Sequence, residues 1–422
     1  MKHKLFGITF LLCIALCSCG TEPAAAETQP PAQPLPPETT AQEIADTSWQ
    51  NNVLRTDFEA YLTTPGAVIE EVRFLNTLAD QPADTIDLSA AADGSVLGWM
   101  DGEYELVIAG DGGVCASEIG EGLFQEWRNL EKVSFGGNFH TDFCTDLSSL
   151  FENCVSLTAV DAERLNTRNA TDLYGVFKNC SSLTQLDVAS WDTSSAVRTS
   201  DMFAGCRKLQ ALDVSGWDVS ALEDSSSMFH FCESLKELDL SGWEESSLTY
   251  ARGMFSRCIN LEHLEVSNLD VSGVTAMNEM FYYCESLKEL DLSGWDTGSA
   301  ENMQYMFADC YNLETLDLNH FNTSNVTNMS LMFEYCHSLK ELHIDRWDVS
   351  GVTDMHWMFE SCTGLQTLDI SPWNPASLEN LSCMFLHTTS LQELYIPISW
   401  NADALYDIAK PYSTVTIYHP AA

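Results

Sequence analysis

The chain has 422 residues, of which 62 are acidic and 19 basic, a formal net charge of −43. A nucleic-acid partner needs a basic footprint and an anionic lipid surface attracts basic segments, so neither is expected to hold this chain by charge. Its length would fill several ordinary cores, but a strict internal period makes one elongated domain the expectation.

Residues 1–19 read as a targeting segment. Lys2 and Lys4 form a basic start, and Leu5 to Leu16 an apolar run too short to span a bilayer. The run closes on Leu16-Cys17-Ser18-Cys19-Gly20, which resembles a bacterial lipobox with Cys19 as the acylated N-terminus. An ordinary secretory signal cleaved after Cys19 or further on is the alternative. Residues 20–48, with their PPAQPLPPETTAQE run, lack the apolar residues for a core and read as an extended linker. The chain is thus expected to be exported, lipid-anchored and exposed at the bacterial cell surface, touching the membrane only through its N-terminal anchor.

Residues 49–122 read as a small β-rich N-terminal cap. A helix is expected over Asp57 to Leu62, and strands over Ile69 to Asn76, Ser95 to Met100 and Tyr104 to Ala109, with Asp101-Gly102 as a hairpin turn. A solenoid end needs such a cover. A separate ligand-binding module is the alternative. Phe124, Trp127, Leu130, Val133 and Phe135 form a degenerate first coil.

From there the chain repeats. Met280 to Trp295, MFYYCESLKELDLSGW, carries the skeleton Met-Phe-x-x-Cys-x-x-Leu-x-x-Leu-x-Leu-x-x-Trp, and its cysteine returns every 26 residues from Cys154 to Cys362. Thr388 falls on the next beat. Met277, Met280, Phe281 and Cys284 sit at i, i+3, i+4 and i+7, the spacing of a short helix, with Thr275, Thr327 and Thr353 at the N-cap place. Leu287, Leu290 and Leu292 then follow a strand pattern, Gly294 turns the chain, Trp295 seals the corner, and Asp296 suits a turn that bonds its own backbone. The expected fold is an α/β repeat solenoid: about ten 26-residue coils, a parallel β-sheet on one face and short helical turns on the other. It occupies residues 123–396, with a C-terminal cap over residues 397–422 containing a helix at Ala402 to Ala409 and a strand at Thr414 to Tyr418.

Leu-x-x-Leu-x-Leu is the leucine-rich repeat strand. With Phe-x-x-Cys before it and Trp-Asp-x-Ser-x-Val-x-x-Met after it, the unit resembles the BspA-like bacterial surface leucine-rich repeat proteins, over about two thirds of the chain. The resemblance implies adhesion to host matrix proteins, host cells or other bacteria.

The cysteine ladder reads as small buried residues with free thiols, since no Cys-x-x-Cys pair suits zinc. Cys115, Cys144 and Cys383 stand off it, and a disulfide among them is left open. Trp191, Trp217, Trp243, Trp295, Trp347 and Trp373 interchange with Leu165, Leu269 and Phe321, which argues for corner packing over a sugar-stacking row. Seven residues after each cysteine stand Asp161, Asp187, Asp213, Asp239, Glu265, Asp291, Asp317 and Asp369, broken only by His343. Neighbouring carboxylates about 5 Å apart repel by about 0.8 kcal/mol in water. Donors from the adjoining turn or bound cations must relieve this, and oxygen-only ligands suit Ca²⁺, though no EF-hand loop is present. Four residues after each cysteine, Lys236, Glu262, Lys288, Glu314 and Lys340 alternate in sign, a two-coil period of 52 residues.

No Gly-rich phosphate loop, Gly-x-Ser-x-Gly or His-Glu-x-x-His motif occurs, and no enzyme is expected. The expected function is surface binding of an extracellular protein or cell-surface ligand, with the acidic ladder as the candidate face. A non-catalytic envelope scaffold and a carbohydrate-binding module are the alternatives.

Overall fold

The computed structural model describes residues 48–62, 68–400 and 415–419. The expected signal segment, Cys19, nearly all of the linker and the helix over Ala402 to Ala409 lie outside them.

The N-terminal part opens with 3₁₀ turns at Ser48–Asn51 and Phe58–Tyr61, the second standing where a helix was expected. Strands follow at β1 (Glu71–Leu75), β2 (Ile86–Asp87), β3 (Leu97–Asp101), β4 (Glu105–Ala109), β5 (Val114–Cys115), β6 (Lys132–Ser134), β7 (Phe139–His140) and β8 (Ala159–Val160). The hairpin joins β3 to β4 antiparallel, with Gly102 at φ +86°, a conformation only glycine adopts freely. One sheet in the order β2-β3-β4-β1-β6-β8 carries the cap directly into the repeats, β1 lying parallel to both β4 and β6. The cap therefore covers the solenoid end by extending its sheet, and Phe58 and Phe74 pack against Phe124 of the first coil.

Later coils add three-residue strands at β9 (Glu237–Asp239), β10 (His263–Glu265), β11 (Thr315–Asp317), β12 (Glu341–His343), β13 (Thr367–Asp369), β14 (Glu393–Tyr395) and β15 (Thr416–Tyr418). The pairing is parallel and steps by one repeat: Leu238 faces Leu264, Leu316 faces Leu342, and Leu368 faces Leu394. The central leucine points inward and its two neighbours outward, the alternation a strand imposes. A second parallel ladder, one residue wide, runs from Ile119 through Asp146 and Asp172 to Asn380.

The expected helical turns are not helices; no α-helix occurs among the described residues. Two residues per coil, five and one before the cysteine, are left-handed, as at Glu279 (φ 62°) and Tyr283 (φ 59°). Met280 N–H bonds Met277 O and Cys284 N–H bonds Phe281 O, closing two tight turns. Between them Phe281 N–H donates to Met306 O and Tyr283 N–H to Ala308 O in the next coil. Two such turns place Met277, Met280, Phe281 and Cys284 inward at the same spacing a helix would, so apolar periodicity alone reads them as one. The N-cap expectation fails with the helix: Thr327 Oγ1 donates to Glu301 O and Thr353 Oγ1 to Thr327 O, tying coil to coil.

Side-chain ladders fill the core. Phenylalanine rings stack nearly parallel, Phe229 on Phe255 at 5.8 Å and Phe333 on Phe359 at 5.5 Å. The six ladder tryptophans, Trp191 to Trp373, are buried, and each indole N–H donates to a carbonyl of the preceding coil, as Trp243 Nε1 does to Val214 O at 3.0 Å. The ladder cysteines are free and buried, as expected, and their thiols also bond backwards: Cys258 Sγ donates to Phe229 O at 3.2 Å. Thr388 explains itself here, for its hydroxyl makes the same bond to Phe359 O at 2.7 Å. Cys115, Cys144 and Cys383 are free thiols as well. Gly294 is required by closeness, since a Cβ there would collide with Ser267 O.

Burial pushes the Cys258 thiol up to about 12, so at pH 8 it is held as the unreactive thiol. Peptide mapping after alkylation of the native protein at pH 8 is expected to find the ladder cysteines unmodified, and modified only after denaturation. Cys258→Ala should lose about 1–3 kcal/mol through the missing sulfur and the orphaned carbonyl. Cys258→Thr, copying Thr388, should lose distinctly less; equal losses in urea unfolding would show that the hydrogen bond contributes nothing.

Candidate functional site: the acidic strand face

The strand segments of the degenerate first coil and of the seven coils after it line an open groove of about 1800 Å³ that runs along the sheet face of the solenoid. Its walls carry the acidic ladder: Asp161, Asp187, Asp213, Asp239, Glu265, Asp291 and Asp317 all border it. Glu237, Glu262 and Glu289 add to the charge, and Lys132 is the basic residue at its N-terminal end. Asp369 lies further along the same row, on β13. The inward leucine of each strand forces both neighbours out to solvent, which is why the acidic residues share one face.

The repulsion that the ladder sets up is relieved by local donors. Asp213 Oδ1 accepts from Ser215 N at 3.1 Å and Oγ at 2.8 Å, and Glu265 Oε1 from Ser267 N at 3.1 Å and Oγ at 2.6 Å. Asp239, Asp291, Asp317 and Asp369 each accept the N–H two residues on, at 2.8 to 3.2 Å. Asp187 makes the same contact at 3.3 Å, while Asp161 reaches back to Phe135 N and Gly136 N of the preceding coil. The side-chain and backbone bonds from Ser241 hold the Asp239 carboxyl below its usual value, and those from Ser293 do so for Asp291. These groups stay charged at any physiological pH. Where the ladder is interrupted, His343 Nδ1 lies 4.0 Å from Asp317. In the alternating row, Lys340 Nζ closes on Glu314 at 2.7 Å. Apart from Asp161, whose two oxygens both accept from the preceding coil, these carboxylates accept from their own turn through one oxygen. Among the described residues no group of three or more His, Cys, Asp or Glu is arranged to hold a metal ion.

The same Asx geometry recurs after the tryptophans, as expected from Asp296: its Oδ1 accepts Gly298 N at 2.9 Å, and Asp192 and Asp218 are held low by Ser194 and Ser220.

A second acidic feature lies on the turn side, where sequence reading found only core methionines. Glu334 and Glu360, one coil apart, are almost fully buried, and His387 Nδ1 lies 3.3 Å from the Glu360 carboxylate. Burial first, then the Glu360 carboxylate, pushes Glu334 up to about 8. No spacing rule flags the pair, because only the backward direction of the left-handed turn puts both inside. A carboxyl raised on folding takes up a proton, so stability falls as pH rises from about 5 to 8. Glu334→Gln is expected to flatten that fall in thermal midpoint; a variant whose midpoint keeps the wild-type slope would remove the pair as its cause.

A family model described as a Mycoplasma protein of unknown function, DUF285, matches residues 121–238, 145–263, 231–341 and 312–419 in overlapping windows that tile the repeats. No curated protein matches the chain. Among solved structures, a leucine-rich repeat protein from Bacteroides ovatus is 15% identical, covering 76% of this chain and 90% of that one at a TM-score of 0.26. One from Eubacterium ventriosum is 15% identical over 75% of this chain and 97% of that one, at 0.31. The mouse RP105/MD-1 complex is 16% identical over 78% of this chain and 55% of that one, at 0.26. The match of the family model to most of the chain makes it a member of the DUF285 family.

Proposed function

We propose that the chain is an exported, lipid-anchored protein whose acidic strand face binds a macromolecular partner at the bacterial surface, and that it is not an enzyme. The observation that carries this reading is the pairing of two rows. The ladder tryptophans, the row that would stack sugars, are turned into the core, whereas the carboxylates of the strand row line the open groove. A regular face of one sign suits an extended basic partner, and it attracts that partner at a distance. The partner is an extracellular protein presenting lysine or arginine, on host matrix, a host cell or another bacterium. The resemblance to BspA-like proteins supports adhesion; the fold by itself does not. A bound Ca²⁺ between ladder oxygens would invert the local charge, so the same experiment tests it.

The soluble form beginning at Gly20 is expected to bind immobilised matrix proteins or mucin saturably, with affinity falling steeply between low and high salt. The triple variant Asp213→Asn, Asp239→Asn, Asp291→Asn should bind at least about tenfold more weakly. Binding that chelator abolishes assigns Ca²⁺ to the face; binding indifferent to chelator leaves the carboxylates as direct contacts. Absence of binding to every surface would overturn adhesion in favour of an envelope scaffold. For the anchor, the full chain expressed in a bacterium should fractionate with membranes and carry acyl chains on Cys19 by mass spectrometry. Cys19→Ala should release it, and a mature form starting beyond residue 19 would sink the lipoprotein reading.

A further inference from the structure

The strand ladder of the solenoid is interrupted, and the breaks follow the charge. At a complete joint between coils, the N–H after one ladder residue donates to the carbonyl of the next ladder residue. Leu240 N–H donates in this way to Glu265 O at 2.9 Å, Leu318 N–H to His343 O at 3.0 Å and Ile370 N–H to Tyr395 O at 2.9 Å. Among the described residues the equivalent N–H groups of Val188, Val214, Val266, Leu292 and Ile344 make no hydrogen bond. Strands form on either side of the complete joints, β9 with β10, β11 with β12 and β13 with β14, and none forms at Leu186, Leu212 or Leu290.

Four of the five open joints set like charges on facing coils: Asp187 against Asp213, Asp213 against Asp239, Glu265 against Asp291, and Asp291 against Asp317. Two of the three closed joints do not, for Asp317 meets His343 and Asp369 meets Tyr395. The third sets Asp239 against Glu265, and there His263 lies opposite Glu237 on the same two strands. Ile344, between His343 and Asp369, is the open joint that charge does not explain. Own-turn donors hold these carboxylates in place but leave their charge. The open joints fall on the buried residues Val188, Val214, Val266 and Leu292, where an unmade backbone bond costs stability.

The turn side is unbroken across the same joints. Phe177 N–H donates to Met202 O, Phe203 N–H to Met228 O, Phe255 N–H to Met280 O and Phe281 N–H to Met306 O, at 2.9 to 3.0 Å. Coils bonded on one side and open on the other close by pivoting about the bonded side, and the ladder residues of all four like-charge joints border the groove.

We propose that the acidic ladder holds the strand face of the free protein part-open, and that a polycationic partner seated along the groove lets the missing ladder bonds form, so that the coils close on it. This rests on the groove being the binding face. Each facing pair of carboxylates opposes its own joint while bare and stops opposing it once a lysine or arginine lies between them. The bonds released add to the partner's affinity, and the solenoid stiffens only when occupied. A neutral sugar or an acidic chain brings no such closure.

Residue-resolved amide hydrogen exchange on the full chain tests this. In the free protein the Val188, Val214 and Leu292 amides are expected to exchange at least about tenfold faster than those of Leu240 and Leu318. The triple variant Asp187→Asn, Asp213→Asn, Asp291→Asn keeps the acceptor each turn needs, since Asn328 and Asn380 accept the N–H two residues on in their own turns. It should slow the three amides about tenfold or more with no partner present. Asp218→Asn, which removes a charge from the corner row, should leave them unchanged. Decalysine added to the wild type should slow the same amides. Equal exchange at Val188 and Leu240 in the free protein, or no slowing in the triple variant, would overturn the part-open ladder. Decalysine that binds without slowing exchange would overturn the closure and leave the groove as a binding face. Decalysine that does not bind would remove the binding reading and the closure with it, while slowing in the triple variant would still establish repulsion as the cause of the open joints.

Discussion

Every coil must leave its backbone polar groups in register with the next, because a solenoid offers no other partner for them. That demand sets the local geometry. On the strand side it is met by a short parallel ladder. On the turn side it is met by alternating right- and left-handed residues, which swing every second N–H forward to a carbonyl one repeat ahead. A helix would have satisfied the same groups inside one coil and left the stack held by side chains alone. The left-handed residues carry a penalty of roughly 1–2 kcal/mol each where they are not glycine. It is offset because each buys an inter-coil hydrogen bond in a place without water. Sulfur, hydroxyl and indole donors step the other way, back to the preceding coil, from Cys258 to Phe229 O, from Thr388 to Phe359 O and from Trp243 to Val214 O.

The repeat and its strand face were legible in the sequence because they depend on inward leucines at period two, and Leu238, Leu316 and Leu368 fall inside as the alternation requires. The hairpin at Gly102 and the burial of the cysteines and tryptophans were legible for similar reasons. The helical turns were not. Two linked turns and one helix expose the same residues, so Met277, Met280 and Phe281 could not tell them apart. The discriminating signal was weaker and lay elsewhere: glycine or asparagine at Gly175, Gly205, Asn153 and Asn179, always one or five residues before the cysteine. Position-specific backbone demand, and not hydrophobic period, separates the two.

The acidic ladder shows the same coupling between local chemistry and long-range order. Identical charges on neighbouring strands would drive coils apart, yet from Asp187 onward each ladder carboxylate is anchored by the N–H two residues on, and Asp161 by two N–H groups of the preceding coil. The sequence announced that donor in the Ser or Asn after each Asp-Leu or Glu-Val pair, as in Ser241 and Ser267. What it could not announce was that the row would line an open groove shared by many coils, which no single repeat encodes.

Buried acids on the opposite side obey the opposite rule. Asp239 gains donors and stays ionised in the open, whereas Glu334 loses water, faces Glu360 and holds its proton well above the usual carboxylate range. One chain of overwhelming negative charge thus keeps two chemically distinct surfaces: an acidic strand face open to the groove, and a turn face where the charge is partly withdrawn and aromatic rings stand at left-handed positions.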